Sequence, residues 1–149
     1  MDISIKKAEK SDLPDILALY AESDIDNGKK LDIDVAEELF DKIRAYPNYN
    51  VYIAIHKDEI VGTFELLIMD NLAHMGAPSA IVEDVVVHKD YRGKGIGKQM
   101  MYFALNDSKK AGCYKMVLSS NMQRERAHHF YESLGYEKYG FGFRLDFET

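Results

Sequence analysis

Residues 82–98 read V-E-D-V-V-V-H-K-D-Y-R-G-K-G-I-G-K. They carry a β-branched run, then a short polar turn, then Gly93, Gly95 and Gly97 spaced by two. The valines predict a strand buried on both faces. The glycine-rich turn ahead of the helical stretch 98–110 predicts backbone N–H groups gathered at a helix start. Glycines lack the Cβ that would hold an anion off, the first helical N–H groups have no intrahelical partner, and the helix dipole adds attraction. A corner of this kind suits phosphate.

Spacing excludes two common phosphate motifs. A Walker A loop needs Gly five residues before its Gly-Lys pair and Ser or Thr after it, but Arg92 and Gln99 stand there. The dinucleotide fingerprint needs G-x-G-x-x-G, and Lys98 occupies the place of its third glycine. The pattern present is R-x-x-G-x-G, on Arg92, Gly95 and Gly97.

Composition bounds the rest. With 149 residues, 46% of them hydrophobic, the chain has the size of one domain, expected over 1–149, with material for a sizeable core. No apolar stretch approaches the ~20 residues of a membrane span, and Met-Asp-Ile-Ser lacks a secretory start, so a cytoplasmic protein away from membranes is expected. The single Cys113 forms no internal disulfide and leaves no cysteine zinc cluster. A net charge of −6 disfavours nucleic acid as a partner and modestly favours cationic small molecules.

Periodicity predicts a strand around Ile3 and Ile5, and a helix capped by Ser11 with Leu13, Ile16, Leu17 and Tyr20 on one face. After a polar loop at 24–32 comes a second helix with Ala36, Leu39, Phe40 and Ile43 in register, ended by Pro47. Strands are expected at 51–56 and 60–70 around a hairpin turn, then at 81–87 and 114–119 flanking the helix 98–110, which would lay the last two parallel. A helix at 127–134 and strands at 136–139 and 141–147 complete a mixed α/β sheet with helices on both faces.

A second motif lies late in the chain, where Ala127, Phe130, Tyr131, Gly135 and Tyr136 fit the pattern A-x-x-F-Y-x-x-x-G-F/Y. With the R-x-x-G-x-G corner, it makes the last 70 or so residues resemble the Gcn5-related N-acetyltransferase (GNAT) superfamily. The resemblance implies an α/β (α+β) fold, with a mixed, mostly antiparallel central sheet of about six to seven strands, about four helices, and splayed strands 81–87 and 114–119. It implies acetyl-CoA as donor, with its pyrophosphate held by Arg92, Gly93, Lys94, Gly95, Ile96, Gly97 and Lys98. Its pantetheine arm would lie along the main chain of Val85, Val86 and Val87. Where the superfamily often has Asn, three residues before the Ala of the late helix, this chain has Arg124, with Asn121 three residues further back. Both are carried as candidate cofactor contacts.

Acetyl transfer needs a deprotonated amine, a stabilised carbonyl oxygen and a proton for the departing thiolate. Tyr131, with a phenol pKa near ~10, is the candidate proton donor and cofactor contact, a role the resemblance supports; a core aromatic with a satisfied hydroxyl is the bland alternative. Glu83 and Asp84 interrupt an apolar strand, where an unpaired carboxylate is expensive. Glu83 is the candidate base or water-positioning group, although the two could simply pair with lysines. His88 fits a base or the wet end of the strand, and the N–H of Val86 or a neighbour suits the oxyanion. His128 and His129 project about 100° apart, His56 and His74 have no companion at ligand spacing, and no metal site is expected. The acceptor expected is a small-molecule amine, the resemblance lying nearest to enzymes of amino-sugar phosphates and aminoalkylphosphonates. A protein lysine or N-terminus as acceptor, a non-catalytic acetyl-CoA sensor, and a homodimer stay open.

Overall fold

Lys57 and Asp58 both take positive φ, 47° and 66°, and form the tight primed turn that matches the twist of a two-residue β-hairpin. The turn joins β2 (Tyr49–His56) to β3 (Glu59–Met69), which pair antiparallel at the centre of the sheet. The computed structural model describes residues 1–147. They fall into two compact units, the first spanning Met1–Val117 and the second beginning at Leu118.

In the first unit, β1 (Ser4–Lys7), β2, β3, β4 (Ser79–Val87) and β5 (Lys115–Val117) lie side by side in that order. The first three pairings are antiparallel. The fourth, β4 with β5, is parallel across the crossover helix α3 (Ile96–Lys110), as the strand-helix-strand order predicts. α1 (Leu13–Glu22) and α2 (Ile33–Ala45) precede the hairpin.

Alternation along β2 divides the core. Val51 and Ile53 pack with Leu13 and Ile16 of α1 and Ala36 and Phe40 of α2. Tyr52, on the opposite face, stacks on its cross-strand partner Phe64 at 5.1 Å and meets the edge of Phe103 of α3 at 5.1 Å. Helices therefore cover both faces. Phe64 is fully buried, and its truncation to Ala would cost about 3–5 kcal/mol. α3 presses closest at Gly62, where a Cβ would lie 2.9 Å from the Met100 sulfur and 3.2 Å from Val86 O. Among the described residues no helix is long and apolar enough to cross a membrane.

Three local expectations are corrected. Ser11 does not cap the first helix, because the Asp12 carboxylate accepts the Glu9 N–H at 2.8 Å and draws residues 10–12 into a 3₁₀ turn ahead of α1. β5 stops at Val117 rather than at 119. Five strands are present among the described residues, not six to seven, since 136–139 and 141–147 are irregular. The reason is the lack of a ladder: residues 140–147 make no backbone hydrogen bond among the described residues. The second unit holds α4 (Glu125–Ser133), two residues earlier at its start than expected.

Candidate active site

The parallel ladder between β4 and β5 covers only Ser79–Lys115, Ala80–Met116 and Ile81–Val117. From Val82 to Val87, β4 has no strand partner on that side among the described residues. On the other side β3 stays paired, and the ladder shows which main-chain groups it uses. His88 N–H donates to Val61 O at 2.8 Å, and Val86 stands opposite Thr63 two residues back in the same register. In an antiparallel pair such positions share orientation, so Val86 spends its N–H and C=O on β3. Val87 turns its own groups to the open edge, where its C=O accepts the Arg92 Nε at 3.1 Å. Of the N–H groups expected to suit the oxyanion, that of Val86 or a neighbour, the Val86 N–H is thus taken up by the sheet.

β4 leads through a 3₁₀ turn at Lys89–Tyr91 into the glycine corner. Gly93 (φ 75°) and Gly95 (φ 83°) both occupy the left-handed region, and Gly95 caps α3. Nothing lies within 4 Å of where a Cβ would stand on either, so conformation alone calls for glycine here. The N–H groups of residues 93–98 find no acceptor among the described residues, the first intrahelical bond being Gln99 N–H to Gly95 O at 3.1 Å. The first turn of α3 carries no acidic residue, and Arg92, Lys94 and Lys98 bring positive charge. A row of unmet donors at the start of a 15-residue helix is an anion seat. It fits the pyrophosphate of acetyl-CoA.

Upstream on the same strand the sign reverses. Asp84 has φ 49°, and between the pairs Glu65–Glu83 and Thr63–Val86 two residues of β4 face one of β3. This bulge breaks the strict alternation that would set Glu83 and Asp84 on opposite faces of the sheet. Asp84 instead comes beside Glu65, placed so that a protonated Glu65 carboxyl donates to an ionised Asp84. Glu65 also accepts the Tyr49 hydroxyl at 2.6 Å. Burial, outweighing that bond, pushes the Glu65 carboxyl up, and the Asp84 and Glu83 charges push it further. Burial, then the Asp84 charge, raises Glu83; burial, then Asp26, raises Asp84. Burial and the same carboxylates hold the Tyr20 and Tyr49 phenols well above their ordinary range. No lysine pairs with Glu83 or Asp84 among the described residues, so the bland ion-pair alternative is not realised.

Glu65, Tyr49 and Tyr20 escaped the sequence reading. The signal that singled out Glu83 applies equally to Glu65, a lone carboxylate between Phe64 and Leu66 in an apolar strand. His88 is a structural residue: its Nδ1 accepts the Asp90 N–H at 3.2 Å and caps the turn, while its Nε2 lies 3.6 Å from Glu22.

In the second unit, Asn121 uses its side chain locally, accepting the Gln123 N–H at 2.9 Å, and its C=O accepts the Arg124 N–H at 3.0 Å. These bonds shape the turn that starts α4. Tyr131 on α4 packs edge-on to Tyr136 at 5.8 Å, and its hydroxyl has no hydrogen-bond partner among the described residues. Burial raises the Tyr131 phenol, partly offset by Arg124.

The profile of the Acetyltransferase (GNAT) family matches residues 13–136. An acetyltransferase structure from Trypanosoma brucei superposes with a TM-score of 0.84 at 30% identity, covering 98% of this chain and 100% of that one. A transcriptional regulator from Bacillus halodurans gives 0.90 at 27% identity, with 98% and 100% covered. A glucosamine 6-phosphate N-acetyltransferase of Trypanosoma brucei brucei is 38% identical over 87 residues, 58% of this chain and 57% of that protein. The chain spans about half the length of the curated relatives it matches. With the glycine corner, the opened edge of β4 and a profile match over most of its length, this chain belongs to the GNAT acetyltransferase family.

Proposed function

We propose that the chain is an acetyl-CoA-dependent N-acetyltransferase that acetylates the primary amine of a small molecule by direct attack on the thioester. The observation that carries this reading is the unmet N–H row of residues 93–98, which no group of the protein fills among the described residues. Arg92, Gly93, Lys94, Gly95, Ile96, Gly97 and Lys98 would hold the pyrophosphate, and the outward main chain of Val87, with Val85, the pantetheine arm. Acetyl-CoA, when bound, supplies an acetyl thioester whose sulfur departs as a thiolate.

The remaining chemistry falls to this chain's own side chains. Glu83, with a raised carboxyl, takes the ammonium proton directly or through water, and Glu65 and Asp84 share a proton behind it. Tyr131 keeps its proton at neutral pH, because burial raises the phenol, and its Oη is the donor to the leaving group. Asn121 and Arg124 remain candidate contacts to the donor, Asn121 through its main chain, since its side chain is committed to the turn. Related proteins are named for glucosamine 6-phosphate and for aminoalkylphosphonate, which makes small amines bearing phosphate or phosphonate the first acceptors to try.

Release of free thiol from acetyl-CoA across a panel of amino-sugar phosphates, aminoalkylphosphonates, polyamines and peptides tests the proposal. Turnover with at least one small amine is expected. A peptide-only response would assign a protein acceptor instead. The likeness to a transcriptional regulator favours one second reading, a non-catalytic acetyl-CoA-binding domain. Such a domain would gain about 2.7 kcal/mol of stability at ~100 times the dissociation constant yet release no thiol.

A further inference from the structure

Main-chain donors along the glycine corner divide at one residue. Those of residues 88–92 all find acceptors, whereas those of 93–98 find none among the described residues. His88 N–H donates to Val61 O at 2.8 Å, Asp90 N–H to His88 Nδ1 at 3.2 Å, Tyr91 N–H to His88 O at 2.9 Å and Arg92 N–H to Lys89 O at 3.4 Å. These bonds stay within the β3–β4 pair and the turn that β4 feeds. The Lys89 N–H does not. It reaches across the fold to Glu22 Oε1 on α1 at 2.8 Å, 67 residues away in sequence.

Glu22 is poorly placed for its own helix. It is the last residue of α1, where a carboxylate meets the negative end of the helix dipole, and no basic residue shares that turn to offset it. Its side chain is only 23% exposed, and its second oxygen lies 3.6 Å from His88 Nε2. Because His88 Nδ1 accepts a hydrogen bond, the ring proton of the neutral imidazole sits on Nε2, the Glu22 side. Both carboxylate oxygens therefore face the point where β4 leaves the sheet.

We propose that Glu22 is a positioning residue of the donor seat, its carboxylate fixing the Lys89 main chain and thereby the direction in which residues 93–98 present their free N–H groups. The inference rests on the acetyl-CoA reading of that seat. The seat is main chain, so a side chain sets its geometry only through the segment that leads into it. That segment, Lys89–Tyr91, is a single 3₁₀ turn, too short to hold a course of its own. Its other outside tie, the Tyr91 hydroxyl donating to Glu59 Oε2 at 2.9 Å, anchors a side chain and does not touch the main chain. A charge-assisted bond such as that from Lys89 to Glu22 is the stronger and more directional restraint.

Calorimetry with acetyl-CoA separates positioning from charge, because charge alone predicts that removing a carboxylate leaves pyrophosphate binding unchanged or tighter. Glu22→Ala loses the acceptor, and it should bind about tenfold more weakly, the worth of one hydrogen bond to a charged group. Its KM for acetyl-CoA should rise while kcat at saturation stays. Glu22→Gln keeps an acceptor oxygen and should bind at least as tightly as the parent. Unchanged or tighter binding in Glu22→Ala overturns the proposal, and so does an equal loss in both variants.

Lys89→Pro deletes the same bond from the other side and leaves α1 intact. Proline is accepted at the first position of a turn, after a residue such as His88 with φ −52° and ψ 135°. Lys89→Gln keeps the N–H and accounts for the lost charge, so Lys89→Pro should bind more weakly than Lys89→Gln by about the same tenfold factor. Should Glu22→Ala fail to fold by circular dichroism, this pair decides alone, and equal affinity of its two members overturns the proposal. In the Lys89→Pro background Glu22→Ala should add no further loss, because the bond is already gone; a full second loss places the effect of Glu22 elsewhere and overturns it too. A parent that binds no acetyl-CoA overturns the donor reading and this inference with it, whereas a parent that binds, with variants that match it, overturns this inference alone.

Discussion

The two ends of β4 carry opposite potentials. Beyond Val87 the chain presents a row of unmet N–H groups with Arg92, Lys94 and Lys98 around them, whereas at Glu83 and Asp84 it presents carboxyls that burial raises and whose charges in turn raise Glu65. One strand thus carries unmet donors and cations past its C-terminal end and a carboxyl cluster at its middle. The two regions are built differently. The anion seat is main chain, fixed by two left-handed glycines and a helix start, and so is indifferent to most side-chain changes. The acidic end is all side chain, held together by a bulge and one phenol hydrogen bond, and so should be tunable residue by residue.

The largest effect should come from spoiling the seat. Gly95→Asp forces a side chain into a φ of 83° and puts a carboxylate beside donors meant for phosphate. Left-handed strain of about 1–2 kcal/mol combines with charge repulsion, so acetyl-CoA affinity should fall at least about 100-fold by calorimetry. Gly95→Ala carries only the strain and should fall about tenfold. Equal loss in the two variants would show that shape alone makes the seat. Tyr131→Phe, by contrast, should leave acetyl-CoA binding intact and slow turnover by about 100-fold, the worth of a positioned proton donor. A change in affinity without a change in rate would return Tyr131 to the core.

Much of this was legible in the sequence, and the failures share a cause. The glycine corner, the hairpin, the parallel crossover and both helical faces follow from local pattern, because turn chemistry and burial period are written over a few residues. The acidic network is not local. Glu65 and Asp84 meet only because a bulge shifts the register between β3 and β4, and no periodicity in either strand announces it. Ser11 lost its capping role to an aspartate one residue on, a competition that propensity alone does not decide. The segment 141–147 has the pattern of a strand without the ladder, because pattern specifies a face and only a neighbouring edge makes a strand.

The acidic end should respond more gently. Glu83→Gln removes the proposed base but leaves water able to carry the proton, so kcat should drop about tenfold. The kcat/KM profile should also lose its acidic limb, which in the unmodified chain lies above the ordinary glutamate value of about 4.3 because burial and Asp84 raise that carboxyl. An unchanged pH profile would move the role to Glu65 or Asp84.

The smallest expected effect is on stability, and it tests whether the carboxyl cluster is a structural cost kept for its chemistry. Burial, then Asp84 and Glu83, raises Glu65 in the folded chain, against the favourable bond from Tyr49. A carboxyl raised on folding binds its proton more tightly in the native state. Its contribution is therefore complete below about pH 4.3 and is lost as pH rises through the folded value. Glu65→Gln does not titrate and still offers Tyr49 an acceptor oxygen. Its melting temperature should match the parent near pH 4 and exceed it by a few degrees at pH 8, with the gap opening between them. The Asp84 and Glu83 charges act on Glu65, so carboxyl titration followed by NMR should lose one raised carboxyl in the variant even if the melting temperatures barely moved. A gap that opened toward acid instead would mean that the Tyr49 bond, not burial, governs Glu65.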